Sequence, residues 1–363
     1  MGMNDDVFYM KKVFELARLG EGFTSPNPMV GAVIVKGGRV VGIGYHKKKG
    51  DKHAEIRAIE DAVGHLEDST LYINLEPCIH YGSTPPCAPV VAQVGIKKVV
   101  ISNVDPNPLV NGKGIEYLRS KGIEVITGVL EEEGYFLNRF FFHYVKTGFP
   151  YVIGKMALSL DGFIADKNGD SKWISGEDSR TYVHKIRGEV DAVMVGKGTV
   201  EKDNPSLLPR FVYSPKIPAR IVVAKKPFNN FDYQIFNSGG IIYIITTKNS
   251  KWQIPGNLKA KVEIIEVDEF EDGGINLREA LLALGSKGVQ SILCEGGSFL
   301  MGELLKHGLV QELVIFYSNL ILGEGVKPFG SVSVSMENAI RNFKLYERLN
   351  FQNDTMVRFL KNG

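Results

Sequence analysis

Cysteine is scarce, with three in 363 residues. So few thiols cannot build a disulfide scaffold, and their use shifts to metal binding or catalysis. Long apolar runs are missing as well, and none reaches the length needed to cross a bilayer. The opening stretch MGMNDDVFYMKK lacks the charged, apolar and small-residue segments of a signal peptide, so the expectation is a cytoplasmic protein with no membrane partner. There is little excess charge of either sign. The 43 Lys and Arg residues nearly balance 41 Asp and Glu, for a formal net charge of +2, and the densest basic run, Lys47, Lys48 and Lys49, reads as a solvated loop. No nucleic-acid partner is implied. Internal repeats and low-complexity tracts are absent too. What remains is 44% hydrophobic and 23% charged, an ordinary globular composition on a chain long enough for two domains, each with its own core.

Apolar residues Val7, Met10, Val13, Phe14 and Ala17 recur at helical spacing before Gly20 and Gly22 end the pattern. VGAVIV at 30–35 and VVGIGY at 40–45, joined through Gly37 and Gly38, predict a hairpin. A helix is expected near 53–64, then strand 69–77, helix 88–95, strand 97–105, helix 114–122 and strand 123–130. The dense aromatic patch FFFHYV and the turn-prone Thr147, Gly148, Phe149 and Pro150 mark the domain boundary, giving domains at 1–147 and 148–363. A second alternating series follows: strand YVIGKMAL, a helix near 178–188, strands DAVMVG, RIVVA and GIIYIIT, a helix near 276–287, strand SILCEG, a helix to 307 and strand ELVIFYS. Alternation of this kind predicts sheets covered by helices on both faces.

One constellation carries chemistry. His53 lies in H-A-E with Glu55 two residues on, Cys78 ends a strand after Glu76 and Pro77, and Cys87 stands directly before a helix. A neutral imidazole and two thiolates suit Zn²⁺, and three protein ligands leave the fourth tetrahedral corner for water. Nearby backbone N–H groups favour the thiolate form of both cysteines. Glu55, a carboxylate that is not a ligand, is placed to move protons between water, ring nitrogen and departing amine. Taken alone, a His-Ala-Glu is usually helix surface and a single Cys a buried small hydrophobe; together, in this order, they resemble the zinc nucleobase deaminases. His80 reads as a loop residue at the substrate mouth rather than a ligand, and Cys294, in an apolar strand, as buried filler.

Two other readings share parts of this set. A nucleic-acid or nucleoside deaminase fused to an unrelated reductase calls for a basic groove and P-C-x-x-C, whereas this chain has E-P-C-I-H-Y-G-S-T-P-P-C. A non-catalytic zinc-binding protein calls for a fourth Cys or His ligand. The longer inter-cysteine loop, with TSPNPMVGAVIV at 24–35 and DPNPLVNGKG at 105–114, resembles the bifunctional riboflavin-biosynthesis deaminase-reductases, over nearly the whole chain. That resemblance implies an N-terminal cytidine-deaminase-like three-layer α/β/α domain followed by a C-terminal dihydrofolate-reductase-like α/β domain. It implies a deaminase that takes the ring 2-amino group from a diaminopyrimidinone ribosylamino phosphate, a reductase that opens ribosyl to ribityl with NADPH, and a homodimer through the second domain. By resemblance His53, Cys78 and Cys87 hold zinc, Glu55 shuttles protons, and Asn27 contacts substrate or shapes its turn. Where that family commonly has proline before H-A-E, this chain has Lys52, which leaves the ligands intact.

In the second half, KMALSLDGFIA at 155–165, SKWISG at 171–176, SRTYVHKIR at 179–187, VGKGTVEKDNPSLLPR at 195–210 and CEGGS at 294–298 carry the same resemblance. Gly296 and Gly297 close a strand and open a helix, a place where backbone N–H groups can meet a phosphate. G-K-G-T at 196–199 is no dinucleotide fingerprint, because the third glycine and the downstream acid are missing. Position by position, Ser171, Arg187, Leu207, Arg210 and Glu295 match substrate contacts. Ala157, Trp173, Thr199, Asp203 and the run Gly297, Ser298, Phe299 and Leu300 match cofactor contacts, Trp173 reading equally well as core packing. Lys155 and Asp161 are candidates to polarise the sugar carbonyl or relay a proton. Lys225 and Lys226 read as exposed lysines rather than partners of the extra phosphate of NADPH.

Overall fold

The structure is a computed structural model that describes residues 3–64, 66–81, 85–214, 216–330, 332–337 and 339–362, so Gly82, Ser83 and Thr84 of the inter-cysteine loop lie outside the described residues. It divides into two compact units, Met1–Gly148 and Phe149–Gly363.

The first unit runs α1 (Met3–Arg18), β1 (Gly31–Lys36), β2 (Arg39–Tyr45), α2 (Ala54–Asp61), β3 (Thr70–Leu75), α3 (Cys87–Gln93), β4 (Lys98–Asn103), α4 (Lys113–Ser120), β5 (Glu124–Thr127), α5 (Glu131–Leu137) and α6 (Arg139–Thr147). Its sheet has the order β2-β1-β3-β4-β5. β1 is antiparallel to β2 and β3, and β3, β4 and β5 are parallel. Gly37 and Gly38 both take positive φ, which lets a two-residue turn close the hairpin with Lys36 opposite Arg39.

Strand alternation sets the layers. Ala32, Ile34, Leu71, Ile73, Val99 and Ile101 pack with Ala54 and Ala58 of α2, Ala88 and Val91 of α3, and Ile115 and Leu118 of α4. Val33, Val35, Tyr72 and Val100 pack instead with Met10, Val13 and Phe14 of α1 and Leu137 of α5. The result is the expected three-layer α/β/α domain. The loop before β1 is clamped from two sides: Asn74 accepts the Gly31 N–H at 2.8 Å, and Asn138 accepts the Met29 N–H at 2.8 Å. Both side chains also donate to the Met29 carbonyl.

The second unit continues with β6 (Tyr151–Leu158), β7 (Ala165–Asp166), α7 (Glu177–Glu189), β8 (Ala192–Gly196), α8 (Lys197–Asp203), β9 (Ala219–Val223), β10 (Ile241–Thr247), β11 (Lys261–Val267), α9 (Leu277–Ser286), β12 (Ser291–Cys294), α10 (Ser298–Lys306), β13 (Glu312–Ser318), β14 (Gly325–Val326), β15 (Phe343–Asn350) and β16 (Asp354–Lys361). Its nine-stranded sheet is ordered β11-β10-β9-β8-β12-β6-β13-β16-β15. The strands from β11 to β13 are parallel, and the hairpin β15–β16 adds antiparallel to β13. The carboxyl ends of β8, β12 and β6 therefore lie side by side, where ligands gather in open parallel sheets.

The differences from expectation have local causes. FFFHYV belongs to α6, with Phe142 buried, and only Gly148 after it, at φ 73°, breaks the helix. The strand expected over 123–130 ends at Thr127, because Leu130 caps α5 and Glu131, Glu132 and Glu133 favour a helix start. β6 stops at Leu158, and Asp161 and Gly162 turn the chain before β7. β11 and β15 escape the periodicity reading because their apolar residues are interrupted by charges that face solvent, and β16 because the buried Asp354 and Arg358 interrupt its apolar residues.

Gly44 fixes the approach of α2 to β2, since a Cβ there would collide with the Ala54 carbonyl and the Ala58 amide. Gly44→Ala is expected to destabilise the first unit by about 1–3 kcal/mol or more by forcing α2 outward; an unchanged midpoint in chemical denaturation would contradict this close packing.

Candidate active site

α2 begins where His53, extended at φ −70° and ψ 161°, serves as its N-cap, and so brings the imidazole and Glu55 to one end of the helix. Cys78 follows β3, and Cys87 opens α3. The Cys87 N–H points at Cys78 Sγ, 3.4 Å away, and the Ala88 N–H donates to the Cys78 carbonyl at 3.0 Å. His53 Nδ1 lies 3.2 Å from Cys87 Sγ and 3.6 Å from Cys78 Sγ, and the three donor atoms all fall within 4.8 Å of one another. Two donors on one tetrahedral zinc stand roughly 3.6 Å apart. The donor set and its spacing therefore fit the ion.

The electrostatics separate the two sulfurs. A hydrogen bond from Cys87 and the His53 ring lower the Cys78 thiol to about 4, whereas the same contact with Cys78, together with burial, pushes the Cys87 thiol up. The expectation of two depressed thiols thus holds for Cys78 alone, because Cys87 is the donor in their contact and the more buried of the two. His53 is raised, chiefly by its hydrogen bond to Cys78. Glu55 is buried, and burial followed by the charge of Cys78 pushes its carboxyl up to about 7.

His53, Glu55 and Cys78 line a cavity of about 250 Å³ with Asn27, His46, Glu76, His80, Asp105 and Phe141, and Cys87 lies buried behind them. Asn27 Nδ2 is 3.1 Å from His46 Nε2, and His46 Nδ1 is 3.3 Å from the Lys52 carbonyl. An Nδ1–H tautomer satisfies both bonds, donating to Lys52 and accepting from Asn27. His80, expected at the mouth, lines the cavity with its Nδ1 buried and without a hydrogen-bond partner among the described residues.

Glu76, named in the sequence only as the residue before Pro-Cys, accepts four backbone N–H groups: from Asp105 at 3.2 Å, Gly112 at 2.9 Å, Gly114 at 2.9 Å and Ile115 at 3.3 Å. It ties the 105–114 loop to the strand end that carries Cys78. Asp105 is pushed up to about 6 by burial and then by Glu76. Its Oδ1 accepts the Asn107 N–H at 2.8 Å.

In the second unit, Glu295 follows β12 and meets Arg187 of α7 through two bonds of 2.5 and 2.9 Å. Burial raises the Glu295 carboxyl, but Arg187 prevails and holds it below its ordinary range. Arg187 Nη1 also donates to the Leu208 carbonyl at 3.3 Å. Lys155, half-buried on β6, lies near this pair, and desolvation lowers its pKa against the pull of Glu295. Ala157 sits near the end of β6, Thr199 and Asp203 on α8 directly after β8, and Gly297 as the N-cap of α10. A Cβ on Gly297 would have Thr199 Oγ1 as its nearest neighbour at 3.9 Å, so the α10 start is open to an approaching group.

Other expectations shift. Ser298 Oγ is taken by the Lys327 carbonyl and the Gly330 N–H, which leaves only its backbone for a ligand. Phe299 is exposed and Leu300 is buried in the core. Trp173 is 66% exposed with the Arg180 guanidinium 4.5 Å over its ring, so it is not core packing. Ser171 lies in the loop before α7, its carbonyl accepting the Ile174 N–H. Asp161 accepts from Ser159 Oγ and from the Leu322 and Gly323 N–H groups, a loop clamp rather than a group turned to a substrate. Lys225 pairs with Glu269 and the Gly273 carbonyl. Cys294 is fully buried, and burial pushes its thiol up to about 12, an inert filler as expected.

An imidazole and two thiols close enough to share one ion, beside a buried carboxylate and on a sheet of this order, fit a zinc-dependent deaminase, joined in one chain to a second α/β unit. Residues 3–103 match the family model for the cytidine and deoxycytidylate deaminase zinc-binding region, and residues 150–357 match that for the RibD C-terminal domain. The riboflavin biosynthesis protein RibD of Aquifex aeolicus is 40% identical over 337 residues, 93% of each chain, and that of Bacillus amyloliquefaciens is 41% identical over 322 residues, 88% of this chain and 86% of the other. Among solved structures, the diaminohydroxyphosphoribosylaminopyrimidine deaminase/5-amino-6-(5-phosphoribosylamino)uracil reductase of Thermotoga maritima superposes with a TM-score of 0.87 at 35% identity over 99% of each chain. Acinetobacter baumannii RibD does so at 0.85 and 31% over 100% of each. The chain belongs to the RibD family, and it is a bifunctional riboflavin-biosynthesis enzyme, deaminase and reductase, with zinc and NADPH as cofactors.

Purified protein is expected to carry about one zinc per chain, and Cys78→Ala or His53→Ala to lose most of it. Elemental analysis finding full zinc in either variant would rule out this ligand set.

Proposed function

We propose that the first site removes an amino group from an aminopyrimidine bearing a ribosylamino phosphate, and that the second reduces the ribosyl group of the deaminated product. The observation that carries this reading is the convergence of His53, Cys78 and Cys87 beside a buried Glu55 that is not one of the ligands. His53, Cys78 and Cys87 would hold zinc; when bound, the ion supplies Lewis acidity that makes water a nucleophile near neutral pH. Glu55 takes one proton of the attacking water and gives it to the ring nitrogen, then takes the remaining hydroxyl proton of the adduct and gives it to the amine, which departs as ammonia, a task suited to a carboxyl pushed up to about 7. Asn27, its amide held by His46, turns the other end of its side chain to the substrate.

At the second site NADPH supplies a hydride when bound, and the protein's work is positioning. The α10 start at Gly297, Ser298, Phe299 and Leu300 offers backbone N–H groups to the cofactor's phosphates, with Ala157, Trp173, Thr199 and Asp203 as further cofactor contacts. Ser171, Arg187, Leu207, Arg210 and Glu295 contact the pyrimidine ribosyl phosphate, Arg210 through its forked guanidinium. The same reading places the enzyme in the cytoplasm, acting on a small molecule and not on nucleic acid; among the described residues no helix is long and apolar enough to cross a membrane. It also includes a homodimer through the second unit, supported by Leu345 and Tyr346 exposed on the edge strand β15. A sedimenting mass of one chain would count against the dimer.

Supplied with the aminopyrimidine phosphate, the enzyme is expected to release ammonia without NADPH and to oxidise NADPH only once deaminated product is present. Glu55→Gln should lower ammonia release by about 10²–10⁴-fold while keeping its zinc and its reduction of the deaminated compound. Undiminished ammonia from this variant would defeat the assignment of Glu55.

A further inference from the structure

His184 lies one turn before Arg187 on α7, so the two side chains share a helix face. Its ring is buried, and its Nδ1 accepts the Arg210 backbone N–H at 3.1 Å. The Phe211 ring meets it edge-on, with centroids 4.6 Å apart. Arg187, besides gripping Glu295, donates to the Leu208 carbonyl. One helix face therefore holds the turn by a carbonyl at 208 and an amide at 210. The turn needs holding: Leu207 is buried in the left-handed region at φ 58°, a conformation disfavoured for any residue with a Cβ. α7 is itself pinned, because Asp354 Oδ2 accepts the Gly176 N–H at 2.7 Å and the Ser179 hydroxyl at 2.5 Å.

We propose that His184 is a positioning residue of the reductase site: its neutral imidazole, accepting the Arg210 N–H, fixes the 207–210 turn and so sets where Leu207 and Arg210 meet the substrate. The proposal rests on the reading of Arg187, Leu207, Arg210 and Glu295 as substrate contacts. His184 serves only while Nδ1 keeps its lone pair. Burial, followed by the neighbouring Arg187 guanidinium, lowers it to about 4 against the opposing pull of Glu295, with Arg210 adding in the same sense, so the ring stays neutral where the enzyme works. His184 has no part in the zinc site, so ammonia release by the same chain measures how much enzyme each assay contains, and a cooperative thermal transition of the second unit checks that each variant is folded.

The test compares His184→Leu, His184→Asn and Arg210→Ala in the full chain, with steady-state reduction of the deaminated pyrimidine ribosylamino phosphate by NADPH. Losing one acceptor for a buried N–H should raise the KM of His184→Leu for that compound about tenfold to a hundredfold with kcat little changed. His184→Asn, whose Oδ1 can accept the same N–H, should recover KM to within about threefold of the parent. Ammonia release should be unchanged in all three. If Arg210→Ala raises KM and His184→Leu does not, the positioning role fails while the reading of the contacts stands. If Arg210→Ala also leaves KM unchanged, the reading of the contacts fails and takes the proposal with it. A fall in kcat alone, or no recovery in His184→Asn, equally overturns the role. Should His184→Leu not fold, His184→Gln, whose longer side chain misplaces the acceptor, replaces it with the same expected rise in KM.

Discussion

A cage of one imidazole and two sulfurs closes only if a strand end and two helix starts stay in fixed register, and the five-stranded sheet of the first unit supplies that register. β3 delivers Cys78, α2 delivers His53, and α3 delivers Cys87. The helices reach their places because Ala54 and Ala58, and Ala88 and Val91, are small or branched apolar groups packed on the alternating face of β1, β3 and β4. The Cys87 N–H aimed at Cys78 Sγ then stabilises thiolate on the more open of the two sulfurs. Glu55 shares the helix start but does not join the donor cluster, and in the proposed reading that separation leaves it to move protons rather than to bind metal.

Holding this cage is a set of polar contacts that lie outside it. Glu76 satisfies two backbone N–H groups of the 105–112 loop and two in the first turn of α4, and it does so from the residue two before Cys78. Asn74 and Asn138 do the same for the turn carrying Asn27. Buried loop amides are tolerated only when paired. The cavity shape is thus written in buried side-chain acceptors rather than in sheet or helix. The second unit repeats the device with different residues: His184 and Arg187 grip the 207–210 turn, Ser298 holds the 327–330 loop, and Asp161 holds Leu322 and Gly323.

This division explains what could be read beforehand. H-A-E and the Pro-Cys pair are local signals, with residue type and spacing expressing the chemistry directly, so His53, Glu55, Cys78 and Cys87 were legible. So were the strands with clean apolar runs, such as GAVIVK and AVMVG, and the helix with its apolar stripe in α1. Glu76, His46 and Asp105 were not, because each gains its role from partners far along the chain: Asn27 for His46, and the 105–115 backbone for Glu76. Three consecutive phenylalanines in α6 defeat any periodicity, since only Phe142 among them is buried while Phe141 faces the cavity. The β15–β16 hairpin was hidden by its charges, Arg358 pairing with Glu312 and Glu347 inside a sheet edge that composition alone reads as loop. Trp173 could not be placed from sequence at all, since an indole suits a core and a ligand face equally.

X-ray absorption at the zinc edge of the loaded, substrate-free enzyme counts the sulfur and nitrogen ligands of the cage. The expected result is a four-coordinate ion with two sulfurs at about 2.3 Å and one imidazole nitrogen at about 2.0–2.1 Å, the remaining position filled by a light atom from solvent. A third sulfur, or a second imidazole in place of solvent, would contradict it by leaving no corner for chemistry.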